Sequence, residues 1–304
     1  MHYRPLGRTG LQVSQIALGG HWRDPAGNRY VSVYEGDEVP GEVVRHRVAV
    51  LDACLELGIN YIDITTAAEC AAYGLALAGR RERFLVGADD YRLGCRRIEC
   101  LSAEVLVQAV EGCLRRLRTD RLDLWRVTTD MDGGNTAEHL ACVAEAAGRL
   151  RQAGKIRFLG LSSHHRPWLR AALDGLDGLD VAIMPCLPVS RPAGAADSAL
   201  LAARERGLGV IAIKPFAGGS LFAGPQRNGV QSARLAGWAL RRVAALDPGI
   251  SCVVAGFADA AELRAAVRAA RRAGDDPEQA GPTADELVAG LPPERAWLAG
   301  WLEV

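Results

Sequence analysis

The sequence predicts a closed (β/α)8 TIM barrel folded as a single domain over residues 1–304. Short apolar runs alternate with amphipathic helical stretches, the pattern of βαβ units and a parallel sheet. There are eight such runs, and the chain of 304 residues suits one barrel of this kind.

The first four strands are read at "QIALGG" (15–20), "YIDI" (61–64), "FLVGA" (84–88) and "LDLWRVT" (122–128). The remaining four follow at "IRFLGLS" (156–162), "VAIMPC" (181–186), "GVIAIKP" (209–215) and "CVVAGF" (252–257). Between them run helical stretches such as "VRHRVAVLDACLELG", "SAEVLVQAVEGCLRRLR" and "AEHLACVAEAAGRLRQAG". The last two carry arginines near their ends, where the helix dipole favours cations. Residues 23–42 are polar and turn-rich, an insertion after the first strand. The tail from Gly274 ends in a helical "ERAWLAGWLEV", and its Trp297 and Trp301, one helical turn apart, predict that it folds back over the barrel.

Hydrophobic residues make up 49% of the chain and charged residues 24%, with a formal net charge of zero. That balance supports a large core and argues against nucleic-acid or acidic-membrane partners, leaving a small-molecule ligand as the expected partner. No run of apolar residues is long enough to span a bilayer, and the opening "MHYRPLGRTG" has no apolar signal core, so a cytoplasmic protein is expected. The 8 cysteines are scattered without a CxxC pair and read as reduced thiols.

In this architecture chemistry is drawn from the C-terminal ends of the strands. His21 and Trp22 follow the first strand; Asp63 ends the second, with Glu69 just beyond it. Asp89, Asp90 and Tyr91 follow the third, Thr128, Thr129 and Asp130 the fourth, and His164 and His165 the fifth. Alternation along the fourth strand turns Leu124, Arg126 and Thr128 to one face. With Thr128 inward, Arg126 lies inside the barrel and needs an acid, which predicts an Asp63–Arg126–Asp89 ion network. His164 or His165 is a candidate general base or, alternatively, a cap on the helix opened by "SSHHRPW". His21, Asp63, Asp89 and His164 would suit zinc or iron, but they lack the close spacing of a metal motif, and no metal is expected.

Several stretches in order resemble the aldo-keto reductase superfamily. "YRPLGRTGLQVSQIALGG" resembles its N-terminal hairpin and first strand, "LELGINYIDI" its second, "RLDLWRVT" its fourth and "GKIRFLGLSSH" its fifth. "GLGVIAIKPFAGGSL" and "VVAGFADAAEL" resemble its last two strands with their cofactor-facing loops. The resemblance implies hydride transfer with NADP or NAD, a tyrosine as acid, a lysine that lowers its pKa, an aspartate holding the lysine and a histidine orienting the carbonyl.

Carried over residue by residue, only the aspartate matches, at Asp63. The tyrosine position falls at Ala68, the lysine position at Asp89 and the histidine position at Thr128. No lysine can fill the gap, because the chain has only Lys155 and Lys214. The resemblance assigns the cofactor surface to Ser162, Ser163, Lys214, Phe216, Gly218 and Gly256. The expected glutamine reads Ile183, the stacking aromatic Ile213, and the basic residue for a ribose phosphate Ala258. Ordinary NADPH-dependent carbonyl reduction is therefore not expected.

Three readings follow. One is an oxidoreductase with a different acid, such as Tyr73, Tyr91 or a histidine. Another is a cofactor-independent lyase, isomerase or hydrolase using Asp63, Glu69 and a histidine, with Arg126, Asp89, Thr128 and His164 among the candidate catalytic residues of the mouth. The third is a non-catalytic binding or scaffold protein. In each of the first two, His21, Trp22 and Tyr91 face the substrate.

Overall fold

The computed structural model describes residues 1–22, 38–93, 95–96, 101–194, 197–223, 229–272 and 281–304. A two-stranded antiparallel hairpin, β1 (Tyr3–Pro5) and β2 (Gln12–Ser14), precedes the barrel. It plugs the bottom: Leu6 is fully buried, and Gly209 must lack a side chain because a Cβ there would lie 2.6 Å from the Leu6 Cδ1.

Eight parallel strands then close into a barrel: β3 (Ile16–Gly19), β4 (Tyr61–Ile64), β5 (Leu85–Ala88), β6 (Leu122–Thr128), β7 (Ile156–Ser162), β8 (Val181–Pro185), β9 (Gly209–Ile213) and β10 (Ile250–Ala255). β10 pairs with β3 to complete the ring. The last strand starts two residues earlier than its apolar run suggests, and its pairing with β9 shifts register between Ile250 and Cys252.

A helix follows every barrel strand: α1 (Gly41–Leu57), α2 (Ala67–Ala76), α3 (Ala103–Leu117), α4 (Ala137–Gln152), α5 (Arg166–Gly175), α6 (Ala199–Glu205), α7 (Gly229–Ala245) and α8 (Ala260–Arg271). Side-chain caps fix where several of them start. Thr66 accepts from the Glu69 N–H, Ser102 from Val105, His165 from Trp168 and Asp259 from Glu262. Helices α2 and α3 cross so closely that a Cβ at Gly74 would lie 2.0 Å from the Arg116 carbonyl oxygen.

Side-chain alternation splits the core into two layers. Ala17, Tyr61, Leu124, Val181, Ile183, Ile211, Ile213 and Cys252 fill the barrel interior, while the larger cluster, with Ile62, Trp125 and Val127, packs strands against helices.

The tail returns over the top of the barrel as predicted, but not as an α-helix. After a short α9 (Ala284–Ala289), residues Pro293–Trp301 form tight 3-10 turns. The segment is sewn down beyond them: Arg191 N–H donates to the Leu302 carbonyl, and Val304 N–H donates to that of Arg191. Ser190 and Ser198 hydroxyls donate to the Trp301 and Val304 carbonyls. Most of the polar insertion and part of the tail's approach lie outside the described residues, as does Cys100. Among the described residues no helix is long and apolar enough to cross a membrane.

Candidate active site

The floor of the barrel mouth is built on β4, β6 and β7. Arg126 points inward, as alternation along β6 requires, and its side chain is only 4% exposed. Its Nε lies 3.1 Å from the Asp63 Oδ1. The N–H is off the line of a hydrogen bond, so the contact is ionic rather than directed. The guanidinium Nη1 donates to the Thr128 Oγ1 at 3.0 Å and Nη2 to the Ser162 Oγ at 2.7 Å.

Asp89 does not complete the expected triad. Its Oδ2 instead accepts the Thr128 backbone N–H at 2.9 Å. The reason is register: Gly87 and Ala88 of β5 pair with Leu124 and Trp125, which leaves Asp89 just past the strand end, opposite the last amides of β6. Burial raises the Asp89 carboxyl to about 6, against the opposing pull of Arg126 and the Thr128 N–H. Burial likewise raises the Asp63 carboxyl despite the Arg126 guanidinium beside it.

One floor residue was missed from sequence. The Tyr61 hydroxyl donates to the Asp63 Oδ1 at 3.1 Å from the layer below. Room for it exists because residue 87 is glycine; a Cβ there would lie 2.1 Å from the phenolic oxygen. The signal was available, since residues 61 and 63 share a face of one strand. This phenol is the reverse of an activated acid. Burial and the Asp63 charge push its pKa well above the ordinary phenol value.

A second group stands on the wall between β3 and α2. Glu69 is buried, with its side chain 1% exposed, whereas the His21 side chain is 43% exposed. The Glu69 Oε1 pairs with the His21 Nδ1. The other oxygen, Oε2, accepts the Thr65 N–H at 2.8 Å and the Thr65 hydroxyl at 3.3 Å. Burial alone would raise this carboxyl, but His21 and Thr65 outweigh it and hold the pKa below the usual range. Gly20 makes the approach possible: a Cβ there would sit 2.8 Å from the Glu69 Oε2. With Nδ1 committed to the carboxylate, the His21 Nε2 faces Thr65 Oγ1 at 3.3 Å. Both His21 and Glu69 are close enough to act electrostatically on Asp63.

The rim comes from loops and the tail. Lys214 follows the last residue of β9 in a left-handed conformation, φ 64°, and is half-buried. Burial and the nearby guanidinium groups of Arg126, Arg295 and Arg96 lower its pKa to about 8. His164 stacks on Trp297 with ring centroids 4.4 Å apart, and its carbonyl accepts the Trp301 indole N–H at 2.8 Å. Its Nδ1 lies 2.8 Å from the Met131 Sδ, which also takes the Arg96 Nη2 at 2.7 Å. Burial and the surrounding cations push the His164 imidazole well below its ordinary pKa, so it stands neutral. Tyr91 lies under the Arg96 guanidinium, 4.6 Å from ring centroid to carbon.

Other expected residues lie elsewhere. Tyr73 does not reach the mouth. It is fully buried, edge-on to Trp22, with its hydroxyl accepting from Arg47 at 3.4 Å. Helix α2 packs on α1 as well as on α3, and Arg47 of α1 meets the phenol there. Trp22 is likewise buried, beneath the Arg47 guanidinium, and offers no open face to a substrate. His165 caps α5 through Nδ1. The Ser163 hydroxyl accepts the His165 N–H at 3.1 Å, which orders the turn into that helix. Asp130 accepts the N–H groups of Asp132 and Gly134 and so shapes its own loop. Asp90 is buried and accepts the Arg92 N–H, and Thr129 donates its hydroxyl to the Ser162 carbonyl. Among the described residues no three His, Cys, Asp or Glu side chains converge as a metal site.

Phe216 packs edge-on to Phe222 and Phe257. After it Ala217, Gly218 and Gly219 all have positive φ, folding the loop beyond β9 into a tight concave turn. Gly256 admits no side chain, since a Cβ would meet the His21 carbonyl at 2.7 Å.

Solved structures share this fold. The aldo-keto reductase AKR11C1 from Bacillus halodurans, in its holo form, superposes with a TM-score of 0.68 at 23% identity, covering 92% of this chain and 94% of that one. L-galactose dehydrogenase from Arabidopsis thaliana is 28% identical over 233 residues, 72% of this chain and 66% of that protein, just under two thirds of its length. A 6-dehydroglucose reductase from Novosphingobium aromaticivorans is 29% identical over 243 residues, 74% of this chain and 71% of that protein. The model of the aldo/keto reductase family matches residues 43–245, more than half of the sequence, and the chain belongs to that family of oxidoreductases.

Proposed function

We propose that the protein is a nicotinamide-dependent oxidoreductase acting on a small carbonyl or hydroxyl compound, with proton transfer carried by His21 and Glu69 rather than by a phenol. The carrying observation is the His21–Glu69 pair at the barrel mouth beside Asp63. At the position the family resemblance gives to the acid stands Ala68, in the first turn of α2. Tyr61 and Tyr73 are buried with raised pKa values, and neither touches Lys214.

The residues present suit NAD(H) better than NADP(H). The three successive positive φ angles at Ala217–Gly219 draw backbone groups of the loop beyond β9 together, at positions the resemblance gives to the cofactor surface. Where the resemblance places a cation for the ribose phosphate, the Ala258 N–H is already taken by the Glu262 carboxylate at 2.6 Å, with Asp259 capping the same helix. A second phosphate would face two acids there.

A bound nicotinamide supplies or removes hydride. The chain's part is proton handling and orientation. Glu69 fixes the His21 ring through Nδ1, and Nε2, 3.3 Å from the Thr65 hydroxyl, is the ring atom that exchanges a proton with the substrate oxygen. Arg126 and Thr128 supply donors and a fixed charge at the floor, and Asp63 keeps that charge balanced. The curated relatives named for L-galactose and 6-dehydroglucose support a polyhydroxylated substrate class. All seven described cysteines are free thiols, in keeping with a reducing cytoplasm.

The test is a titration of intrinsic fluorescence with NADH and NADPH. NADH is expected to bind at least about tenfold more tightly, with Glu262→Gln narrowing the gap. Absence of binding by either nucleotide would overturn the redox reading and pass the dyad to cofactor-independent acid–base chemistry or to a binding role.

A further inference from the structure

Two cations at the barrel mouth, Lys214 and Arg295, have no carboxylate partner among the described residues. Arg126 has Asp63, but the Lys214 ammonium has no hydrogen bond or ion pair among the described residues, and Arg126 from β6, Arg295 from the tail and Arg96 from the loop after β5 each act on it more strongly than Asp63 does. Arg96 meets a thioether and a ring, its Nε is buried without a partner, and Asp130 and Asp89 act on it through space rather than by a hydrogen bond. Arg295 reaches the Ser220 hydroxyl at 3.4 Å and packs against Gly218.

A chain of contacts runs along the rim that carries these cations. Arg96 and His164 share the Met131 sulfur, His164 stacks on Trp297, and Arg295 lies two residues before Trp297 and against the loop that Lys214 opens. Gathering like charges of which two lack a carboxylate partner is unfavourable, and a bound anion relieves it. His164, kept neutral among them, adds a polar face rather than another charge.

We propose that this rim is a binding site for a carboxylate, carried by the substrate itself and seated on Lys214 with Arg96 and Arg295 at its sides. The protein's substrate is then an organic acid whose carbonyl or hydroxyl group reaches His21. The reacting half rests on the oxidoreductase reading; the anion half rests on the rim alone.

The full-length protein is titrated calorimetrically with malonate, inorganic phosphate and the uncharged isostere malonamide, at low ionic strength and neutral pH. Malonate is expected to bind and malonamide not to. Lys214→Met is expected to weaken malonate about tenfold or more, the scale of one charge-assisted contact. Arg295→Gln provides a second variant, on the rim and away from the barrel interior, and should weaken binding about threefold or more. Malonate affinity of the wild type should fall as pH rises past about 8, where Lys214 sheds its proton.

Equal binding of malonate and malonamide, binding of neither, or indifference to both substitutions overturns the proposal. So does competition between malonate and NADH, or phosphate binding without malonate binding, because the cations would then serve a cofactor phosphate. Malonate binding that survives in a protein unable to bind NADH keeps the anion site and removes only the redox reading.

Discussion

Asp63 and Arg126 face each other inside the barrel at 3.1 Å, with their side chains only 6% and 4% exposed. A charge at that depth is tolerated only with its partner. Arg126→Met should therefore cost about 3–5 kcal/mol, and more at pH 8 than at pH 5, because the stranded Asp63 must then stay protonated. Adding Asp63→Asn should recover a large part of the loss. Urea denaturation of the single and double variants measures both effects.

Glu69→Gln keeps an acceptor for the Thr65 N–H but removes the charge opposite His21. The expected loss is in turnover rather than in substrate binding, on the scale of about 10²–10⁴ in kcat for a missing acid–base contribution. Steady-state kinetics with the best substrate found, separated into kcat and KM, tests this. An unchanged kcat would remove the dyad from the chemistry.

The Asp89 carboxyl, raised by burial to about 6 from 3.8, binds its proton more tightly in the folded chain than in the unfolded one. Its contribution is therefore fully present below about pH 4 and is lost as pH climbs to about 6. Asp89→Asn, which still offers an oxygen to the Thr128 N–H, should be the more stable protein at pH 8 by roughly 2–3 kcal/mol. The advantage should vanish at pH 4. The difference between wild-type and variant stability curves isolates this group from the others that titrate there.

Gly87→Ala places a Cβ 2.1 Å from the Tyr61 hydroxyl oxygen. Overpacking of this kind costs about 1–3 kcal/mol, and here it also drives the phenol off Asp63. Pairing it with Tyr61→Phe should return only part of the stability, because the ring carbon Cζ still lies 3.0 Å from the added methyl. Thermal melts of the two variants, with the Tyr61→Phe single variant as reference, would show it.

The barrel was legible because its signals are local and repeated. "YIDI", "LDLWRVT" and "IRFLGLS" coincide with the observed strands, and the inward turn of Arg126 follows from parity along β6. Asp63 as the Arg126 partner was legible for the same reason. Asp89 was assigned to Arg126 instead of the Thr128 amide because side-chain type says nothing of which backbone N–H a strand end leaves open. Tyr73 meets Arg47 because α2 also packs on α1, a helix pairing that no local pattern encodes. The rim was the least readable part. Arg96, Met131, Arg295 and Trp297 meet from two loops and the tail, at sequence separations where neither period 2 nor period 3.6 carries information.

Trp301 hooks the carbonyl of His164 while Trp297 covers its ring. The imidazole and the arginine beside it thus owe their positions to residues more than 130 places downstream. A cut ahead of Pro292 would spare every barrel strand and leave the secondary structure nearly intact by spectroscopy. It would nevertheless remove Arg295 and loosen His164 together. Ligand affinity would then fail before the fold does, and a protein that looks sound after proteolysis could have lost its selectivity.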